Sequence, residues 1–264
     1  MRIMILTQNE NLYIPTGLAK ICNLVEENIV CIVSASPMST HGGAVKGIFR
    51  HVVLFGFKAS IIFGCKIIYN KILSLFSVIG DQTTFFSLKQ VADAFSIPYY
   101  KIKDINSNQF YLLIDNYTPD LLVSLSCPQI VGKKARERFT LGCINVHGSP
   151  LPRYRGLMPA FWVLRNAESV TAVTVHELDS KLDDGDILLQ QEVLITSDDS
   201  WDSLVKKLKL AGALALVNVI RDIKNNTTRK SPNLESEATY YSFPSSKDRK
   251  IFLLTGRKFF NSLY

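Results

Sequence analysis

Cys143-Ile144-Asn145-Val146-His147-Gly148-Ser149 reads as a short apolar strand that carries two polar side chains at its C-terminal end and then turns. Residues two apart on a strand point to the same face, so Asn145 and His147 are expected to project together into one site. Leu151-Pro152-Arg153-Tyr154-Arg155-Gly156 follows as a stiff basic loop, and Leu182-Asp183-Asp184-Gly185-Asp186 supplies a turn rich in carboxylate. Around this stretch the chain alternates strands with helices. Arg2 to Leu6 and Ile29 to Val33 read as strands, with a helix from Leu18 to Val25 between them. Ser87 is placed to cap a helix ending near Phe95, before Pro98 and a strand from Tyr99 to Ile102. Asp120 to Leu125 reads as a buried strand, and Val170 to Val175 and Leu188 to Ile195 as two more. Ser197-Asp198-Asp199-Ser200 opens a long helix with Trp201, Leu204, Val205, Leu208 and Ala211 on one face, ending by Asn225-Asn226. This alternation predicts an α/β fold with a mostly parallel sheet covered on both faces. Ligands of such sheets sit beyond the strand C-termini, where Asn145 and His147 stand.

The three polar groups have complementary chemistry. Asn145 offers an amide donor that can steady a developing oxyanion, and His147 can take up a proton near neutral pH. Asp183 can orient and charge-stabilise that imidazole. No Gly-x-Ser-x-Gly elbow frames a nucleophile beside the histidine, so the set suits direct attack by a substrate's own nucleophile, most simply an amine, on an acyl donor. The first strand is not followed by Gly-x-Gly-x-x-Gly, which argues against a hydride-transferring dinucleotide enzyme.

Asn145-Val146-His147-Gly148-Ser149-Pro150-Leu151-Pro152-Arg153-Tyr154-Arg155-Gly156, Thr171 to His176 and Leu182-Asp183-Asp184-Gly185-Asp186-Ile187 together resemble the formyltransferase family that uses 10-formyltetrahydrofolate. The resemblance is strong from Asp120 to Gln191 and weak before residue 80 and after 228. It implies a Rossmann-like formyltransferase domain over residues 1–228, with a helical apolar insertion at about 45–80, and a short C-terminal extension over 229–264. It also implies that Asn145, His147 and Asp183 are catalytic, and that Ser126, Cys127, Pro128, Gln129, Asp183 and Asp186 hold the folate. Ser149, Arg153, Tyr154 and Arg155 are the expected contacts to the second substrate. One departure is Pro150, where the family commonly has Leu.

A chain of 264 residues with 47% hydrophobic content can bury a full core. Its net charge of +7 favours an anionic partner such as a nucleotide, folate glutamates, RNA or an acidic membrane surface, without choosing among them. The five cysteines, Cys22, Cys31, Cys65, Cys127 and Cys143, are scattered with no Cys-x-x-Cys pair, as in a reducing compartment. Gln8-Asn9-Glu10-Asn11 interrupts the first apolar run, so no secretory leader is read and a cytoplasmic protein is expected.

Thr227 to Glu237 turns polar and reads as a linker. The aromatic, basic tail beyond Thr239 is read as a strap packed back on the domain, or else as a wall for a nucleotide base or a dimer contact. The segment from Gly47 to Val78 mixes bulky apolar residues with Arg50, Lys58, Lys66 and Lys71, and no uninterrupted run reaches the ~18 residues of a membrane span. A helical insertion packed on the sheet or at a homodimer interface is the first reading, and an interfacial helix pair in peripheral contact with an anionic membrane is the second. His147, His176, Asp183 and Asp186 lack the helical spacing of a metal site, and no metal is expected. His176 reads as a strand-end hydrogen-bonding residue, and His41 and His51 as structural or exposed. Arg153 and Arg155 are either a phosphate clamp or solvated loop cations.

The resulting expectation is an N-formyltransferase in which a substrate amine attacks the formyl carbon of 10-formyltetrahydrofolate. The amine is expected on a nucleotide-linked amino sugar of surface-glycan (lipopolysaccharide O-antigen) biosynthesis. His147-Gly148-Ser149 and Pro159 to Leu164, with Trp162, resemble the sugar enzymes, and residues 229–264 are too short for the β-barrel with which methionyl-tRNA formyltransferases hold tRNA. No nucleic-acid partner is therefore expected. The alternatives are a methionyl-tRNA formyltransferase-like enzyme, a non-catalytic folate- or nucleotide-binding protein and a metal-dependent hydrolase.

Overall fold

The computed structural model describes residues 1–37, 43–76 and 84–261, the side chains at 43–46 and 48 excepted. In chain order it runs β1 (Arg2–Gln8), α1 (Ile14–Leu24), β2 (Asn28–Ala35), α2 (Gly43–Phe55), α3 (Phe57–Leu73), α4 (Leu88–Ala94), β3 (Tyr99–Ile102), α5 (Asn108–Tyr117) and β4 (Leu121–Leu125). It continues through α6 (Lys133–Arg136), β5 (Cys143–His147), β6 (Arg155–Gly156), α7 (Pro159–Arg165), β7 (Val170–Glu177), β8 (Ile187–Leu194), α8 (Trp201–Lys224), β9 (Tyr240–Tyr241) and α9 (Ser246–Leu254).

Seven strands form one sheet in the order β3-β2-β1-β4-β5-β7-β8. The pairs from β3 to β5 are parallel, and β7 and β8 add on antiparallel at one side. The mostly parallel α/β sheet expected from the sequence is thus the architecture. β1 is buried along nearly its whole length, as a central strand covered on both faces must be. Its pleat divides the core: Ile3 and Ile5 join a cluster with α1, α4, α7 and α8, while Met4 and Leu6 join a second with α5 and α6.

α8 is capped as its sequence suggests, with Ser200 and Ser203 closing a reciprocal box. α1 begins four residues earlier than expected. Its N-cap position is held by Tyr13, whose side chain makes no cap, and the amides of Tyr13 and Ile14 are taken instead by the Glu10 carboxylate at 2.9–3.1 Å.

The insertion between β2 and α4 is the pair α2 and α3; its expected ends at 77–80, together with His41, lie outside the described residues. Its inward side is anchored by Phe55, whose ring lies 5.1 Å from Trp201 and 5.0 Å from Phe259. Lys66 reaches the buried Asp202 at 3.1 Å, where Tyr13 and Lys206 also donate. Burial alone would raise the Asp202 pKa, and the bonds from Lys206, Tyr13 and Lys66 override it and hold the carboxyl below its ordinary value.

The tail is a strap. β9 pairs in parallel with β6, and Phe252, Phe259 and Phe260 complete the main core. Arg155 is the pin that holds it. This loop cation, taken as a phosphate clamp or a solvated charge, is fully buried, and its guanidinium donates to Asn233 O at 3.1 Å, Asn233 Oδ1 at 2.8 Å, Glu235 and the Tyr240 hydroxyl. The expectation of a substrate contact is corrected on this point, because the side chain is fully buried and both terminal nitrogens are engaged by the strap. Arg155→Ala removes the donors and leaves a void, which is expected to cost roughly 2–4 kcal/mol. Urea unfolding should show the lower midpoint with an unchanged slope, whereas a loss under 0.5 kcal/mol would contradict the pin.

Candidate active site

β5 delivers Asn145 and His147 at its C-terminal end, and both line one cavity of about 800 Å³, in the range of small-molecule sites. His147 is buried. Its Nε2 lies 2.9 Å from the Tyr154 carbonyl, which can only accept, so Nε2 carries the hydrogen. The other ring nitrogen, Nδ1, lies 3.6 Å from Asp183 Oδ2. A proton taken up at Nδ1 would therefore sit beside a carboxylate.

Asp183 reaches this place through a tight turn. Its own φ is 52°, and a Cβ on Gly185 would stand 2.0 Å from the Glu177 carbonyl, so only glycine lets the turn close on β7. Asp183 Oδ2 accepts the Gly156 amide at 2.9 Å, and the Asn233 side chain donates to the Asp183 and Gly185 carbonyls at 2.9 and 3.0 Å. Gly156 is equally confined: φ is +100°, with the Tyr241 carbonyl 2.3 Å from where a Cβ would be. The loop after β5, the turn before β8 and the strap thus meet at one carboxylate.

A fourth group completes the set. His176 stands opposite Asn145 in the antiparallel β5–β7 pair, so their side chains share a face. Its Nδ1–H donates to the Glu177 carbonyl at 2.7 Å, which leaves Nε2 as an acceptor for the Asn145 amide at 3.1 Å. Asp183 Oδ1 lies 3.7 Å from the same Nε2. Burial pushes the His176 pKa down to about 4 against the opposing pull of Asp183, so the ring is neutral at neutral pH. A neutral ring with a fixed tautomer sets the orientation of the Asn145 amide.

Of the other expected site residues, Ser126, Cys127 and Pro128 line the cavity just beyond β4. Gln129 does not. Its amide joins loops instead, donating to the Ser36 and Lys103 carbonyls at 2.6 and 2.7 Å and accepting the Ile105 amide at 3.1 Å. Asp186 is exposed outside the cavity lining, where its backbone carbonyl accepts the Glu177 amide. Ser149 is fully buried and donates to the Arg153 and Tyr154 carbonyls, so it shapes the loop. Tyr154 turns its hydroxyl to Glu168 at 2.5 Å, and Arg153 pairs outside with the same carboxylate at 3.5 Å. Ser149, Arg153, Tyr154 and the buried Arg155, with Gln129 and Asp186, thus lie outside the cavity lining.

Lys209 of α8 lies in the cavity wall and donates to the Ser126 hydroxyl. Burial lowers its pKa, with Glu10 opposing. Its signal in the sequence is a lone cation among Leu208, Leu210, Ala211 and Gly212, four residues from the cavity-lining Val205 and Ala213 on the same helix face. Among the described residues, no group of three His, Cys, Asp or Glu side chains is arranged to hold a metal.

The depressed His176 pKa gives a stability prediction. The unfolded chain protonates this ring below about 6.5 and the folded chain only near 4, so the folded state binds fewer protons in that window. Its contribution is complete above the upper value and is lost as pH falls toward the lower. Melting temperatures of His176→Gln should fall less steeply over that window than those of the parent protein. Identical slopes would contradict a buried neutral His176.

The sequence pattern of the formyl transferase family matches residues 78–220, more than half of the chain. The methionyl-tRNA formyltransferase of Kosmotoga olearia is 31% identical over 177 residues, covering 67% of this chain and 57% of its own. The chain thus spans little more than half the length of that relative. Among solved structures, a sugar N-formyltransferase from Shewanella sp. superposes with a TM-score of 0.61 at 17% identity, covering 99% of this chain and 91% of its own. An N-formyltransferase from Helicobacter canadensis, solved in complex with folinic acid and dTDP-3-aminofucose, has a TM-score of 0.56 at 20% identity and covers 91% and 70%. At these identities the superpositions speak for a shared fold. The match over residues 78–220 places the chain in the formyl transferase family.

Proposed function

We propose that this protein is an N-formyltransferase that moves the formyl group of 10-formyltetrahydrofolate to the amine of a nucleotide-linked amino sugar. The observation that carries the reading is the convergence of Asn145, His147 and Asp183 on one cavity wall, with the buried His176 behind them in contact with both Asn145 and Asp183. Formyl transfer to an amine joins the amine nitrogen to the formyl carbon and breaks the bond from that carbon to the folate nitrogen. The amine loses a proton, the folate nitrogen gains one, and negative charge passes through the formyl oxygen. His147 Nδ1 is the acceptor for the amine proton, with Asp183 beside it to stabilise the imidazolium, and the same proton can return to the leaving nitrogen. The Asn145 N–H not engaged by His176 is the donor for the developing oxyanion.

A covalent route through the protein is disfavoured by the same geometry. Cys127 lines the cavity, but burial pushes its thiol up to about 11, so it is not a thiolate at neutral pH. Direct attack by the substrate amine needs no such group. The Ser126–Pro128 loop and Asp183 flank the part of the cavity assigned to the folate. The residues 1–228 and 229–264 are taken as a catalytic domain and its extension, and the free state of all five cysteines fits a cytoplasmic enzyme.

Support for the sugar acceptor comes from the Shewanella sugar enzyme, whose fold is shared over 99% of this chain, strap included, and from the amino sugar held by the Helicobacter protein. A second reading, methionyl-tRNA as acceptor, has the Kosmotoga relative in its favour. A formylation assay with 10-formyltetrahydrofolate separates them when charged initiator tRNA and a panel of nucleotide-linked 3- and 4-amino sugars are offered in parallel. Turnover of a sugar is expected; efficient turnover of the tRNA with no sugar modified would overturn the acceptor and leave the transfer chemistry standing. Asn145→Ala, His147→Ala and Asp183→Asn are each expected to lose on the order of 10²–10⁴ in rate while staying folded. Near-normal turnover by the His147 variant would rule out its role as base.

A further inference from the structure

We propose that α2 and α3 form a docking surface for an anionic membrane, lying in the lipid interface rather than crossing it. α3 has two apolar sides. Ala59, Ile62 and Phe63 face the protein core. On the opposite side Phe57, Ile61, Cys65, Ile68 and Ile72 recur at intervals of three or four, which places them in one stripe along the helix, and Leu75 follows in the turn just beyond its end. That stripe faces outward: Phe57 is 80% exposed, Ile68 61% and Leu75 79%. Phe49, Val52 and Val53 extend it onto α2. A surface helix normally turns polar residues to water, so a continuous outward row of this kind marks a contact surface.

The charges choose the partner. From Gly43 to Phe76 the sequence contains no Asp or Glu, whereas Arg50, Lys58 and Lys71 are exposed on the same two helices. On the α3 wheel Lys58 and Lys71 fall at the two edges of the apolar stripe, where ammonium groups reach lipid phosphates while the stripe enters the acyl boundary. A second copy of the chain fits poorly. A twofold contact through this face would bring the cations of both copies together with no carboxylate between them. An anionic bilayer supplies both the missing negative charge and an apolar phase. Among the described residues no helix is long and apolar enough to cross a membrane, so the contact is peripheral.

The placement has a consequence for access. Gly47, Arg50 and His51 of α2 line the cavity, so a docked protein holds one cavity wall within about a helix's width of the lipid surface. The proposal does not depend on the identity of the acceptor.

The test uses the full chain and sedimentation with vesicles of phosphatidylglycerol and phosphatidylcholine, against vesicles of phosphatidylcholine alone. Binding to the anionic vesicles is expected to exceed that to the neutral ones by about tenfold and to weaken with salt. Ile61→Ser/Ile68→Ser/Ile72→Ser should lose binding by about tenfold or more, with an unchanged melting temperature because all three positions are exposed. An environment-sensitive probe on the exposed Cys65 should shift to the blue when anionic vesicles are added. Protein that stays in the supernatant at low salt, a triple variant that binds as well as the parent, or an unshifted probe would overturn the proposal. So would a parent dimer in analytical ultracentrifugation that the triple substitution dissolves, since the occupant would then be a second copy.

Discussion

The Asp183 carboxylate, held on the Gly156 amide at 2.9 Å, is the contact on which the site depends. It lies within 3.6–3.7 Å of His147 Nδ1 and His176 Nε2, so one group faces both imidazoles. Three segments far apart in sequence must close for this to happen. Gly185 lets the turn pack on β7, Gly156 lets β6 pack on the strap, and Asn233 ties the strap to the turn. Arg155 then fills the space behind them. A local change at any of these positions is felt at the carboxylate, because packed cores transmit strain rather than absorb it.

The two imidazoles divide the electrostatic labour. His176 is kept neutral by burial and spends both nitrogens on fixed partners, Glu177 and Asn145. In the proposed reaction it is a positioning residue. His147 has one nitrogen fixed on the Tyr154 carbonyl and one turned to Asp183 and the cavity, which is the state a proton acceptor requires. Two histidines on adjacent strands thus take different roles because their environments differ, not because their sequences do.

What the sequence disclosed follows from the range of each interaction. Asn145 and His147 were legible together because a strand's period of two is a local property, and α8 because its cap and apolar stripe are contiguous in sequence. Asp183 was legible as a carboxylate able to pair with His147, but its place beside that ring, with the turn closed on β7, depends on contacts distant in sequence. His176 reads as a strand-end hydrogen-bonding residue and is one, but its partner Asn145 follows from the β5–β7 register, which local pattern does not encode. Arg155 misled for a related reason: a loop cation reads as solvated until Asn233, Glu235 and Tyr240, about eighty residues on, are folded over it. The start of α1 was hidden because Glu10 serves as its cap from outside the usual position. In the segment that holds α3 the mixture of bulky apolar residues and cations was visible, but only the fold shows which side the core uses.

The most direct measurement of whether these groups act as a unit is a double-mutant cycle in formyl transfer with Asn145→Ala and His176→Gln. If His176 works by holding the Asn145 amide, removing it after Asn145 is gone should cost no more than about two- to threefold, well below its effect in the parent enzyme. Rate losses that multiply in the double variant would mean that the two residues act independently, and would contradict the arrangement described for this site.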